Sequence, residues 1–205
     1  SVKVVMRESA RGTLRGIHGP VANLIKTDSE MSVAIEIALG AAAQNIVTDD
    51  QNCGKAAIEL LKRQDGGRAT FIPLDITKGQ ILREMPDKDP GFVGLAYDLI
   101  RYDSRYSEIM ASLLGRIVIA ETMNDATRIA RKMDNRVKVV TLDGQVVNPG
   151  GSLTGGSLGK NTGIISRANE LEQLKKQIRD LREQEIRCNR ELERARAGLA
   201  TLKQQ

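Results

Sequence analysis

Two stretches of this chain, IKTDSEMSVAIEIALG (25–40) and IRYDSRYSEIMASLLG (100–115), align without a gap. They share the opening Ile, an Asp-Ser pair, a helical spacing of apolar residues and a closing Leu-Gly. After a short shift in register NIVTDD (45–50) matches IVIAET (117–122), and RATFIPLD (68–75) matches RVKVVTLD (136–143). An internal repeat of this length constrains the fold more than any composition can, because the two halves must be copies of one unit.

Each copy reads as helix, strand, helix, strand. Asp28-Ser29 and Asp103-Ser104 stand where N-caps belong, and Gly40 and Gly115 where helices stop. The β-branched runs IVT, ATFI, IVI and VKVV read as strands. The expected fold is mixed α/β, with lobe one over 12–75, lobe two over 100–163, and a connection at 76–99 that carries Pro86, Pro90 and the charged DKD between them. Two pseudo-equivalent lobes imply pseudo-twofold symmetry, in which lobe one of one molecule meets lobe two of the next and closes a ring.

From Ile164 onward the texture changes to long charged side chains with spaced aliphatics and no Pro. With Leu171 as position a of a heptad, the a and d positions are Leu171, Leu174, Ile178, Leu181, Glu185, Cys188, Leu192, Ala195, Leu199 and Leu202, nine of them apolar. That spacing predicts a helix with a seam of coiled-coil width over 164–205. Such a seam needs a partner, and residues 1–11 offer at most three helical turns before Gly12. The expectation is a fragment of a longer protein, with residues 1–11 the end of an incoming helix and the antiparallel partner of 164–205 lying upstream of Ser1.

Seven glycines (Gly144, Gly150, Gly151, Gly155, Gly156, Gly159, Gly163) crowd the twenty residues before that helix, most of them in and around NPGGSLTGGS (148–157). A phosphate loop is excluded, since Gly159-Lys160 is followed by Asn161 and Thr154 stands where the earlier glycine belongs. A slack linker explains little, because Val146-Val147 end a strand, Pro149 restricts Asn148, and the glycines come as two spaced pairs. Paired glycines permit positive φ and admit a neighbouring backbone where a Cβ would clash, so a contact edge and an ordinary loop both stand.

Composition narrows the chemistry. Three Tyr, two Phe and no Trp make a base-stacking platform a poor expectation, so contact with nucleic acid would run through phosphates. Cys53 and Cys188 have no second ligand at metal spacing, and no disulfide, cofactor or zinc site is indicated. No apolar run is long enough to span a bilayer and no signal-peptide pattern opens the chain, which points to a cytoplasmic protein. His18 is the sole histidine, removing most His-based catalysis. Asp49-Asp50 at the end of NIVT could hold Mg²⁺ in an α/β enzyme, against the reading that they cap the next helix. The net charge of +5 is concentrated at the ends: residues 1–15 carry Lys3, Arg7, Arg11 and Arg15 against Glu8 alone.

AIEIALGAAAQNIVTDD (34–50), GRATFIPLD (67–75) and VVTLDGQVVNPGGSLTGG (139–156) together resemble the hinge domain of structural maintenance of chromosomes (SMC) proteins, of the bacterial homodimeric kind. The resemblance covers residues 12–163. It implies a non-enzymatic module that folds a coiled-coil arm back on itself and pairs with another hinge in a chromosome condensation and segregation protein at the nucleoid, the ATPase lying in distant head domains. It also implies that Gly150, Gly151, Gly155 and Gly156 lie at the dimer contact. Sequence-independent DNA binding near the junction with the coiled coil would fall on Lys3, Arg7, Arg11, Arg15, Lys160 and Arg167, with Gly12 expected to end the first helix before Arg15. Some bacterial relatives carry a lysine run after the second glycine pair, whereas this chain has Lys160 alone in SLGKNTG. The rival expectation is a scaffold assembled through the helix 164–205.

Overall fold

A computed structural model describes residues 1–86, 88–157 and 163–203, without the side chains of 168 and 194–203. The chain divides into two units, Ser1–Ser166 and the helix from Arg167 onward. Helix α1 (Val2–Ala10) precedes the repeat, and the first copy supplies β1 (Ile17–Pro20), α2 (Val21–Leu24), β2 (Ile25–Lys26), α3 (Ser32–Leu39), β3 (Ile46–Thr48), α4 (Gln51–Arg63) and β4 (Phe71–Pro73). The second copy supplies β5 (Phe92–Leu95), β6 (Arg101–Tyr102), α5 (Ser107–Leu114), β7 (Ile117–Ala120), α6 (Met123–Lys132) and β8 (Lys138–Thr141), then adds β9 (Val146–Val147), β10 (Leu153–Thr154) and the long α7 (Ile164–Lys203).

The copies share a topology as well as a sequence. In the first, β1 pairs antiparallel with β3 and β3 parallel with β4; in the second, β5 pairs antiparallel with β7 and β7 parallel with β8. The helix-strand-helix-strand reading missed the opening strand of each copy. β1 and β5 carry Gly19-Pro20 and Gly94, residues depleted from strand interiors, and Pro20 is tolerated because β1 is an edge. β5 lies within the stretch 76–99 and pairs there with β7. The signal for both strands is a shared Gly-x-x-Gly: Gly16 and Gly91 both have positive φ (66° and 80°), and their carbonyls accept from Asp49 N and Glu121 N at 2.9 and 2.8 Å.

The junction between the lobes is symmetric at one point. β2 and β6 form a two-stranded antiparallel sheet in which Lys26 faces Arg101, its own counterpart in the repeat. Pairing of a strand with its own copy places a pseudo-twofold axis through that residue pair. The lobes also share one core: Val21, Ile25, Ile35, Leu39 and Val47 pack with Ile109, Met110, Leu114, Ile119 and Val140. Smaller clusters lie within each lobe, one fixing α1 through Val5 against Leu60 and Leu61, the other packing α6 through Ile129 against Val118 and Val139. Burial of these apolar side chains is the main stabilising term, about 1.5–3 kcal/mol for each large one.

Asp103 caps the 3-10 turn that leads into α5 by accepting from Arg105 N, whereas Asp28, in the equivalent place, has no cap bond and pairs with Arg101 at 2.8 Å. α3 stops at Leu39 before Gly40, and α5 at Leu114 before Gly115, as the closing Leu-Gly pairs foretell. The end of the connection is tethered to α6, where Arg128 and Lys132 reach the buried Asp89 carboxylate at 2.7 and 2.5 Å.

Candidate interface at the glycine edge

Strand β10 is the last strand of the sheet β10-β9-β8-β7-β5, and among the described residues it pairs on one side only, with β9. The turn before it holds the first glycine pair. Asn148 N donates to Ser152 O at 2.8 Å, Gly151 N to Asn148 O at 2.9 Å, and Gly150 N to Asn135 O at 2.9 Å. Gly150 and Gly151 have φ of 85° and 90°, and Gly156 has φ of 139°, a region that L side chains rarely adopt. Among the described residues a Cβ at Gly150 or Gly156 would meet nothing within 4 Å. The backbone conformation requires glycine there, and the space beside it is open.

The second pair is held from within. Gln145 clasps Gly156, its side-chain oxygen accepting from Gly156 N at 2.9 Å and its amide donating to Gly156 O at 3.2 Å, so a Cβ on Gly155 would collide with that amide. Residues 149–157 are exposed throughout, and Leu153 is 60% exposed. An apolar residue on an unpaired edge strand is a template for pairing with another chain.

The basic residues at the start of the chain fall into two groups. Lys3 and Arg7 project from α1, and Arg11 caps it; Arg15 lies beyond Gly12, whose φ of 78° breaks the helix, so the four do not share one helical face. Arg7 and Arg11 both pair with Glu8 at 3.2 Å, and Glu8 is buried to 6% exposure. Lys3 and Arg15 are exposed. Lys160 lies outside the described residues. Arg167 is exposed at the start of the second unit.

Asp50 is the N-cap of α4, accepting from Cys53 N at 2.8 Å, and its carboxyl is held below the usual carboxylate range by that bond. Asp49 accepts from or pairs with His18 Nε2 at 2.7 Å, while His18 Nδ1 lies 3.0 Å from the Tyr106 hydroxyl across the lobe junction. His18 is thus a link between lobes. Among the described residues no group of three or more His, Cys, Asp or Glu could hold a metal ion. No helix among them is long and apolar enough to cross a membrane.

Two charged residues outside the candidate sites, Lys138 and Glu36, tie the lobes and the start of α7 together. Lys138 on β8 donates to Ile37 O and Ala38 O at the end of α3, each at 3.1 Å. Glu36 in α3 accepts from Ile164 N, the first amide of α7, at 2.6 Å. Both were visible as charges inside apolar runs, SVAIEIAL and RVKVVT. In α7 the seam positions Leu171, Leu174, Ile178, Leu181 and Leu192 are 46–63% exposed.

A family model described as SMC proteins Flexible Hinge Domain matches residues 14–130. The Chromosome partition protein Smc of Bacillus subtilis is 40% identical over 187 residues, which is 89% of this chain and 16% of that protein. The protein of the same name from Desulfitobacterium hafniense is 42% identical over 170 residues, 82% of this chain and 14% of its own length. The chain therefore spans only a small part of the length of these curated relatives. Among solved structures, the asymmetric dimer of the Geobacillus stearothermophilus SMC hinge domain superposes with a TM-score of 0.82 at 39% identity, covering 92% of this chain and 77% of that one. The Pyrococcus furiosus SMC hinge domain gives 0.63 at 34% identity, covering 78% and 85%.

Proposed function

This chain belongs to the SMC hinge family, and from that premise we propose that it joins two copies of itself through the glycine edge and so links two coiled-coil arms of a chromosome partition protein. The observation that carries the reading is β10: an edge strand, flanked by Gly150 and Gly156, which have positive φ and beside which a Cβ would meet none of the described residues. The first lobe offers an open edge of its own in β4, the outer strand of the sheet β1-β3-β4. Twofold pairing of β10 in each copy with β4 of the other uses both edges twice and leaves a closed assembly rather than a filament. The module is non-catalytic, with ATP hydrolysis belonging to parts of the relatives that this chain does not span.

The exposed seam of α7 supports an antiparallel helical partner, which the rest of a longer chain would supply. It also favours the second reading, a scaffold assembled through α7 alone. Sequence-independent contact with DNA phosphates is proposed for Lys3, Arg7, Arg11 and Arg15, with Lys160 and Arg167, near the start and end of the globular unit.

Sedimentation equilibrium of residues 1–166, over a range of concentrations, separates these readings. A dimer supports assembly through the globular unit. A monomer, beside a dimeric full chain, assigns assembly to α7 and overturns the glycine-edge proposal.

A further inference from the structure

An α-helix begins with amides that have no partner in the helix, and a side chain just before the first turn ordinarily satisfies one of them. Helix α7 cannot do this for itself, because the residue before Ile164 is Gly163, which has no side chain to offer. Nor is there room for one: a Cβ at Gly163 would run into the Glu36 carboxylate. That carboxylate comes from α3 of lobe one, 128 residues away in sequence, and accepts from Ile164 N at 2.6 Å with one oxygen while the other lies 3.4 Å from Ser166 Oγ. Ser166 Oγ also lies 3.4 Å from Ser32 Oγ on the same helix, and Ile165 is buried to 3% exposure in the core that the two lobes share. The negative charge of Glu36 suits the partial positive charge of a helix N-terminus.

We propose that Glu36 is the positioning residue that starts α7, a helix cap supplied in trans by lobe one. Gly156 and Ile164 are then held from opposite lobes, the first by Gln145 of lobe two and the second by Glu36 of lobe one. The first turn of α7 forms only while it is seated on α3, so displacement of lobe one from lobe two frays the helix at its root. The inference stands whether or not the chain pairs with a second copy.

Amide hydrogen exchange over Ile164 to Leu171 in the full chain tests it. Glu36→Ala is expected to raise exchange there roughly tenfold, the size of effect that loss of a cap produces. Glu36→Gln, which keeps the shape and an acceptor without the charge, is expected to fall between the two. In the Glu36→Ala background the carboxylate that a side chain at Gly163 would strike is gone, and Gly163→Asp, a local cap, is expected to restore protection. Unchanged exchange in Glu36→Ala and Glu36→Gln overturns the assignment, as does failure of Gly163→Asp to restore it. The sedimentation mass of the same variants reads self-pairing separately, and it is expected not to change.

Discussion

The ammonium of Lys138, on strand β8 of the second lobe, lies 3.1 Å from the carbonyl oxygens of both Ile37 and Ala38, which end helix α3 of the first. Carbonyls at the end of a helix lack partners within it and carry the negative end of its dipole, so a lysine there satisfies both requirements at once. The same α3 carries Glu36, which caps α7, so oppositely charged side chains tie this one helix to β8 and to the root of α7. Lys138→Met, which keeps the aliphatic stem, is expected to destabilise the chain by about 1 kcal/mol, the net worth of a hydrogen bond, in a chemical denaturation curve.

Burial holds the Lys138 ammonium below the usual lysine value. With the folded pKa depressed, the unfolded chain binds more protons than the folded one over the interval between the two values. Stability attributable to Lys138 therefore rises with pH through that interval, up to the unfolded lysine value of about 10.4. The stability difference between the native chain and Lys138→Met is expected to grow between neutral pH and pH ~10; a difference that shrinks would contradict the burial of the charge.

The central helices and strands of both lobes were legible because Ile35, Val47, Ile109 and Ile119 and their neighbours follow helical or strand periodicity twice over. The opening strands were not, since β1 is made of Ile17, His18, Gly19 and Pro20, and its stability comes from pairing with β3 rather than from any propensity of its own. The glycine edge was legible as a place needing bare backbone, but Gln145 was not, because its clasp on Gly156 depends on the β8 to β10 meander bringing residues eleven apart into contact. Lys138 and Glu36 escaped for a related reason: their partners lie a hundred or more residues away. Long-range polar contacts leave no local period to read.

The repeated Gly16 and Gly91 are expected to be intolerant of side chains. At Gly91 a Cβ would meet the Asp125 carboxylate, which pairs with Arg128, and at Gly16 it would meet Cys53 Sγ and the Asp49 carboxylate. Both residues also have positive φ. Gly91→Ala is expected to cost about 1 kcal/mol or more, lowering Tm by roughly 2–4 °C or more in a calorimetric scan of a domain this size. A change below the error of the scan would show that the turn relaxes without loss.

Leu153 is expected to matter for pairing and not for folding. Its side chain is 60% exposed on the open strand, so Leu153→Lys should leave the stability of a single chain within about 0.5 kcal/mol. A lysine on an edge strand opposes its pairing with another strand. The variant of residues 1–166 is expected to sediment as a monomer where the parent is a dimer, and the Gly150, Gly151, Gly155 and Gly156 quadruple alanine variant should behave likewise. Dimers of undiminished strength in both would remove β10 from the interface.

The clearest test of the DNA proposal is to remove an acid. Glu8 is the one acidic residue among the first fifteen, and it sits between Arg7 and Arg11, pairing with each at 3.2 Å. Its charge offsets one of the two cations, so the local excess offered to phosphates is smaller than a count of arginines implies. Glu8→Gln should therefore tighten binding to duplex DNA and steepen its salt dependence by about one ion released, whereas Lys3→Gln and Arg15→Gln should each weaken binding and flatten the slope by about one. The buried position of Glu8 makes some loss of stability in α1 the accompanying result, and a destabilised helix alone would weaken DNA binding rather than strengthen it. Titrations of a fluorescent duplex at several salt concentrations measure affinity and slope together. Affinity that is indifferent to Glu8→Gln, Lys3→Gln and Arg15→Gln would place any DNA contact elsewhere on the chain.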